Sequence, residues 1–201
     1  MERELIKSLI KWKASQSRKP LILKGVRQCG KTYLLKEFGA RCYQDTAYFN
    51  FEENEALKTV FEKDYDIKRI IFELELQHGK KIQTENTLII FDEIQECGRA
   101  LTSLKYFCEN APEYHIVCAG SLLGIALRKQ LSFPVGKVDF MTLYPMSYVE
   151  FLRACGSQQL CRKIPHFFDR VRSEIQRTRE EYQFCKNLNK RKKHRWMIFP
   201  A

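Results

Sequence analysis

The sequence predicts an α/β domain, a three-layer sandwich in which helices cover both faces of a mostly parallel central sheet. Two observations carry the prediction. Short apolar runs of strand length, PLILK, TLIIF and HIVCA, alternate with segments whose apolar residues recur at helical spacing. These runs also end abruptly, at Gly25, at Asp92-Glu93 and at Gly120-Ser121.

Residues 2–14 place Leu5, Leu9 and Trp12 on one helical face, with Ile6 and Ile10 beside them and lysines opposite. This predicts an amphipathic helix packed on the domain that follows. Residues 20–24 form the first strand. Thr32 to Phe38 reads as a helix, with Gly39 as its C-terminal cap. Thr46 to Phe51 alternates Tyr48 and Asn50 with Phe49 and Phe51, as a strand does. Residues 54–63 and 66–78 read as helices, the second with a stripe of Ile67, Ile70, Ile71 and Leu74, closed by Gly79 and the polar stretch KKIQTEN. Thr87 to Phe91 is the next strand, followed by a helix around Ala100 to Asn110. His115 to Ala119 is a strand, Leu122 to Lys129 a helix and Val138 to Leu143 a further strand. Ser147-Tyr-Val-Glu150 is a capping-box pattern that opens a helix to about Ala154. No internal repeat or low-complexity linker precedes residue 155.

Length and composition set the broad class. The 201 residues are 44% hydrophobic and 29% charged, as expected of a soluble globular chain with a real core. No apolar run approaches the ~20 residues that span a bilayer. The opening MERELIKSLIKWK mixes charge into its apolar residues. The expectation is a cytoplasmic protein with no membrane contact. The 8 cysteines form no C-x-x-C pair, so they read as reduced thiols rather than as zinc ligands or a redox motif. Charge is uneven: residues 1–152 carry 22 Lys+Arg against 20 Asp+Glu, and residues 153–201 carry 13 against 4. Such a tail suits a nucleic-acid contact or a segment that does not fold with the rest. A charged surface needs no ligand, and that reading is favoured.

Gly25-Val-Arg-Gln-Cys-Gly30-Lys31-Thr32 matches G-x-x-x-x-G-K-[ST] without mismatch. The glycines let the backbone curl so that successive N–H groups point at phosphate oxygens. The following helix adds its N-terminal N–H groups and the positive end of its dipole. Lys31 supplies a charge to the outer phosphates, and Thr32 a hydroxyl to Mg²⁺. The motif gains weight from its context, a strand directly before and a helix directly after. Arg27, Gln28 and Cys29 fill the loop. Gln28 and Cys29 join the nucleotide-binding set as part of it, and Cys29 has no catalytic role.

Asp92 and Glu93 follow four apolar residues about 60 positions after the loop, the Walker-B pattern. Asp92 suits a Mg²⁺ contact made through water or from just outside the ion's own ligands. Glu93 suits the polarisation of an attacking water. Ser121, at the end of the next strand, suits a sensor beside the terminal phosphate, and equally a helix N-cap. A transition-state cation in ring-forming ATPases comes from a neighbouring subunit. Arg128 and Lys137 are candidates, although a solvated surface accounts for each of them.

With these residues in place, the stretch from about Lys19 to Leu152 resembles the AAA-type ATP-binding domain of a large bacterial and archaeal ATPase family. The matching pieces are KPLILKGVRQCGKTYLLKEF, AYFNFEEN, TLIIFDEIQE, HIVCAGSLLGIAL and SFPVGKVDFMTLYPMSYVEFL. The resemblance implies a P-loop NTPase of the additional-strand type, with HIVCAG inserted between the loop strand and the Walker-B strand. It implies ATP and Mg²⁺ as cofactors, with Gly25, Gly30, Lys31 and Thr32 at the phosphates and Asp92 at the metal. It implies Glu93 as base and Ser121 as sensor, in an ATPase that couples hydrolysis to a conformational change. A homo-oligomer and a protein client of unknown identity go with it.

The family often shows arginine where this chain has Lys137, and its members usually continue into a second, nuclease-like domain. Residues 156–201 do not resemble that continuation. The expected organisation is therefore an ATP-binding domain over residues 1–154 and an irregular or helical basic tail over 155–201, in a truncated or frame-shifted member. The rival functional reading is a nucleotide-dependent binding module without significant hydrolysis, contacting nucleic acid through the tail. A GTPase is disfavoured, because the one NK string, Asn189-Lys190-Arg191-Lys192, lacks the aspartate of a base-reading motif.

Overall fold

Leu21, Ile22 and Leu23 are each fully buried. Successive side chains of a strand point to opposite faces, so both faces of this sheet are covered. The computed structural model describes residues 3–120 and 136–157. The chain divides into two units, Met1–Ser147 and Tyr148–Ala201. In the first, the order is α1 (Leu5–Lys13), β1 (Leu21–Lys24), α2 (Lys31–Cys42), β2 (Asp45–Asn50), α3 (Glu55–Glu62), α4 (Ile67–His78), β3 (Thr87–Asp92), a 3₁₀ turn (Ile94–Glu96), α5 (Gly98–Asn110), β4 (His115–Gly120) and β5 (Asp139–Thr142). The described part of the second unit holds α6 (Tyr148–Ala154), which follows Ser147. Among the described residues no helix is long and apolar enough to cross a membrane.

The five strands are all parallel, in the order β2-β3-β4-β1-β5. Strand β4 lies between β1 and β3, as the additional-strand arrangement requires. On one face Leu21, Leu23, Leu88, Ile90, Val117 and Ala119 pack with Leu9 and Trp12 of α1 and Leu34 and Phe38 of α2. On the other, Ile22, Ile89, Phe91, Ile116 and Cys118 pack with residues of α3, α4 and α5. These are the three layers expected of the α/β fold.

Local differences from the sequence reading have physical causes. The buried face of α1 is Ile6, Leu9 and Trp12, while Ile10 is exposed. Leu5 packs partly buried against the same cluster, and the Lys19 carbonyl accepts from Trp12 Nε1 at 2.9 Å, tying the helix to the start of β1. Helix α2 does not stop at Gly39; it continues to Cys42, and the Gly39 carbonyl accepts from Tyr43 N at 2.9 Å. Gly39 instead serves packing. A Cβ there would lie 2.3 Å from Thr46 Oγ1 on β2, so only glycine lets helix and strand meet this closely. Gly79, with φ 76°, does cap α4 as expected. The segment Leu122 to Lys129 lies outside the described residues.

His115, at the start of β4, is buried beneath α1 and beside Tyr43, its ring edge-on to Trp12 and to Tyr43. Burial first, then the charges of Arg18 and Lys13, push its imidazole down to about 4. Nδ1 of the neutral ring shares a hydrogen bond with the Tyr43 phenol, 2.7 Å away. The six described cysteines are free thiols, as expected.

Two outcomes follow. The unfolded imidazole titrates at the ordinary 6.5 and the folded one near 4. The unfolded state therefore binds more protons between those values, and stability falls as pH drops from 6.5 to 4. We expect a loss of about 2 kcal/mol after allowance for solvent screening. Urea melts across that range check it, because His115→Asn should lack this part of the pH dependence. Gly39→Ala should destabilise by about 1–3 kcal/mol through the clash with Thr46. That outweighs the ~1 kcal/mol of helix propensity gained, and thermal melting gives the sign.

Candidate functional site

Parallel strands place all their C-terminal ends on one side of the sheet, where α/β folds bind ligands. There Lys24 ends β1, Asn50 ends β2 and Asp92 ends β3. The loop Gly25–Gly30 leaves β1 and feeds α2. Two of its residues have left-handed backbone, Gln28 at φ 59° and Gly30 at φ 90°. Gln28 is thus more than filler, since its turn curls the loop at a non-glycine cost of roughly 1 kcal/mol. Gly25 has another reason to be glycine. A Cβ there would sit 2.5 Å from the Leu143 carbonyl oxygen and 2.9 Å from Cys29 Sγ. The backbone leaving β5 presses against the loop at this point, and Leu143 N donates to Lys24 O at 2.7 Å.

Gly30 is the N-cap of α2 and makes no side-chain cap hydrogen bond. The helix therefore opens without a side-chain cap from Gly30 and carries there the positive end of its dipole. Lys31 is buried, and its ammonium folds onto its own loop, donating to Gly25 O at 3.1 Å and Val26 O at 2.8 Å. A cleft of about 390 Å³ opens here, lined by Gln28, Gly30, Lys31, Thr32, Glu52 and Glu93 among others.

Thr32 Oγ1 donates to Asp92 Oδ2 at 2.7 Å across 60 residues of sequence. Tyr48, on β2, donates its phenol to the same oxygen at 2.8 Å. Glu93 N donates to Asp92 Oδ1 at 3.1 Å. Asp92 is buried, so these three donors are what make its carboxylate tolerable there. Burial and the bond to Asp92 push the Tyr48 phenol above its ordinary ionisation, so it keeps its proton. Glu93 has left-handed backbone, φ 48°, and its carboxylate accepts from Gln95 Nε2 at 2.5 Å.

The sequence-predicted residues Gly25, Gln28, Cys29, Gly30, Lys31, Thr32, Asp92 and Glu93 therefore share one end of the sheet. Ser121 and Arg128 lie outside the described residues. Lys137 forms an ion pair with Glu109 at 2.9 Å. Sequence reasoning missed Tyr48, Glu52, Gln95 and Arg3. Arg3 is buried and donates to Cys29 O at 3.0 Å and Tyr144 O at 2.6 Å, tying the loop to the segment after β5. Nothing in the sequence marks Arg3, because its partners lie 26 and 141 residues away.

The donor set fits an oligophosphate with a divalent cation. Curled backbone, helix N-terminus and buried ammonium suit the anion. A hydroxyl that donates to a carboxylate keeps its lone pairs for a hard cation. Arg3→Met should free the loop: we expect a loss of about 2 kcal/mol in stability, from charged hydrogen bonds left unmade. Faster amide exchange at Cys29 to Lys31 checks that the loss is local to the loop.

No curated protein sequence matches the chain. Among solved structures it is similar to the Orc1 protein of Aeropyrum pernix, solved in complex with DNA, at 18% identity and a TM-score of 0.45. The match covers 76% of this chain and 46% of that one, so this chain spans less than half of that protein's length. A family model described as an AAA domain matches residues 17–152, about two-thirds of the chain. The protein belongs to this AAA-domain family.

Proposed function

We propose that this chain binds ATP with Mg²⁺ and hydrolyses it, using the binding energy difference between nucleotide states to drive a conformational change. The observation that carries the reading is the Thr32–Asp92 hydrogen bond, set beside a curled loop and a buried Lys31. It joins a phosphate cradle to an acidic strand end, the two halves a nucleotide site needs.

On this reading the loop N–H groups and the first turn of α2 hold the phosphates. Lys31 leaves the Gly25 and Val26 carbonyls for the outer phosphate oxygens. Thr32 and Asp92 hold Mg²⁺, which neutralises phosphate charge. Glu93 takes the proton of the attacking water, and Gln95 orients its carboxylate. Ser121 reads the terminal phosphate. A cation from a neighbouring copy completes the charge stabilisation, so the working form is a homo-oligomer. Residues 1–154 are the ATP-binding domain, and residues 155–201 carry the excess basic charge without a ligand of their own. A protein client and a cytoplasmic setting complete the reading.

Glu93→Gln keeps the shape of the side chain and removes its basicity. It should bind ATP within about threefold of the wild type and lower kcat by 10²-fold or more. Binding by fluorescent nucleotide and turnover by phosphate release check it. If both proteins bind with Mg²⁺ and neither turns over, the chain is a nucleotide-dependent binding module instead.

A further inference from the structure

Asp92 Oδ2 receives two hydroxyl protons, one from Thr32 and one from Tyr48. Thr32 belongs to the phosphate loop motif; Tyr48 belongs to no motif. It stands on β2 opposite Ile90, two residues short of Asp92 along the parallel ladder. Its ring packs in the core cluster on the α2 face of the sheet. Lys36 of α2 lies over the ring, its Nζ 3.7 Å from the centroid. The phenol is therefore held from both sides and aimed along the strand at the carboxylate.

The consequence is geometric. The Glu93 N–H holds Oδ1, but with Thr32 alone on Oδ2 the carboxylate could still rock about its last bond, and the hydroxyl would follow it. A second donor on the same oxygen fixes that rotation. With Oδ2 fixed, the Thr32 proton points at it, and the hydroxyl lone pairs point away, toward the cleft. We infer that Tyr48 is a positioning residue of the cation site: through Asp92 it aims the Thr32 lone pairs at the divalent ion, and so sets cation affinity without contributing to nucleotide affinity. The inference rests on the reading of Thr32 and Asp92 as cation ligands.

The test uses the full chain and Mn²⁺ as the probe. Mn²⁺ affinity is measured by electron paramagnetic resonance with saturating ADP, and nucleotide affinity separately in EDTA. Tyr48→Phe removes one oxygen and keeps the ring against Lys36. It should weaken Mn²⁺ binding about tenfold or more, the scale of a lost partner to a metal ligand. Metal-free nucleotide affinity should stay within twofold. Tyr48→Leu, a second variant without a donor, carries the same expectation should Tyr48→Phe not fold. In an Asp92→Asn background, Tyr48→Phe should change Mn²⁺ affinity by less than twofold, because its route runs through the carboxylate.

Mn²⁺ affinity unchanged in Tyr48→Phe, while Asp92→Asn and Thr32→Ala lose it, overturns the inference and leaves the cation site standing. Equal effects of Tyr48→Phe with and without the Asp92 carboxylate also overturn it. Mn²⁺ affinity indifferent to Asp92→Asn itself overturns the underlying reading, and the inference with it.

Discussion

A carboxylate buried at the end of a central strand is costly unless both of its oxygens have donors or a cation. Asp92 meets that condition with three donors from three places in the sequence: Thr32 from α2, Tyr48 from β2 and the backbone N–H of Glu93. Satisfying it fixes the distance between α2, the edge strand β2 and β3 at once. Glu93, whose N–H donates to Oδ1, has left-handed backbone at this strand end. The site is thus built around an acceptor rather than around the phosphate loop alone.

Helix α2 is docked to suit. Thr32, Lys36 and Gly39 stand at i, i+4 and i+7 and so share one face of the helix. Thr32 meets Asp92, Lys36 meets the Tyr48 ring and Gly39 meets Thr46. All three contacts involve the β2–β3 side of the sheet. The bare glycine at one end of this face lets the helix lie close to β2, and the hydroxyl at the other end reaches the acid. A larger residue at Gly39 would tilt the helix away and lengthen the Thr32–Asp92 contact, which links a packing position to the chemistry.

The other side of the loop is fixed by backbone. Leu143 O stands where a Gly25 side chain would be, and Arg3 pulls the Cys29 carbonyl and the Tyr144 carbonyl together. The loop is held between β5's exit and the N-terminal segment before any ligand arrives. Preorganised donors of this kind lose less order on binding an anion than a slack loop would. Lys31, folded onto its own loop's carbonyls, is the group with the furthest to move.

The sequence by itself determined the strand and helix order, the loop Gly25 to Thr32 and the acids Asp92 and Glu93. Those features are written in local periodicity and in spacing along the chain, which one stretch of residues can show. It placed Gly39 as a cap because glycine after an apolar turn usually ends a helix, and only the approach of Thr46 shows otherwise. The tertiary structure alone decided why Gly25 must be glycine, that Arg3 holds the loop, and that Tyr48 shares the Asp92 oxygen with Thr32. Each of these is a contact between segments 26 to 141 residues apart or a clash with another element's backbone. Such contacts exist only once the sheet has brought the ends of its parallel strands together, and no local pattern encodes them.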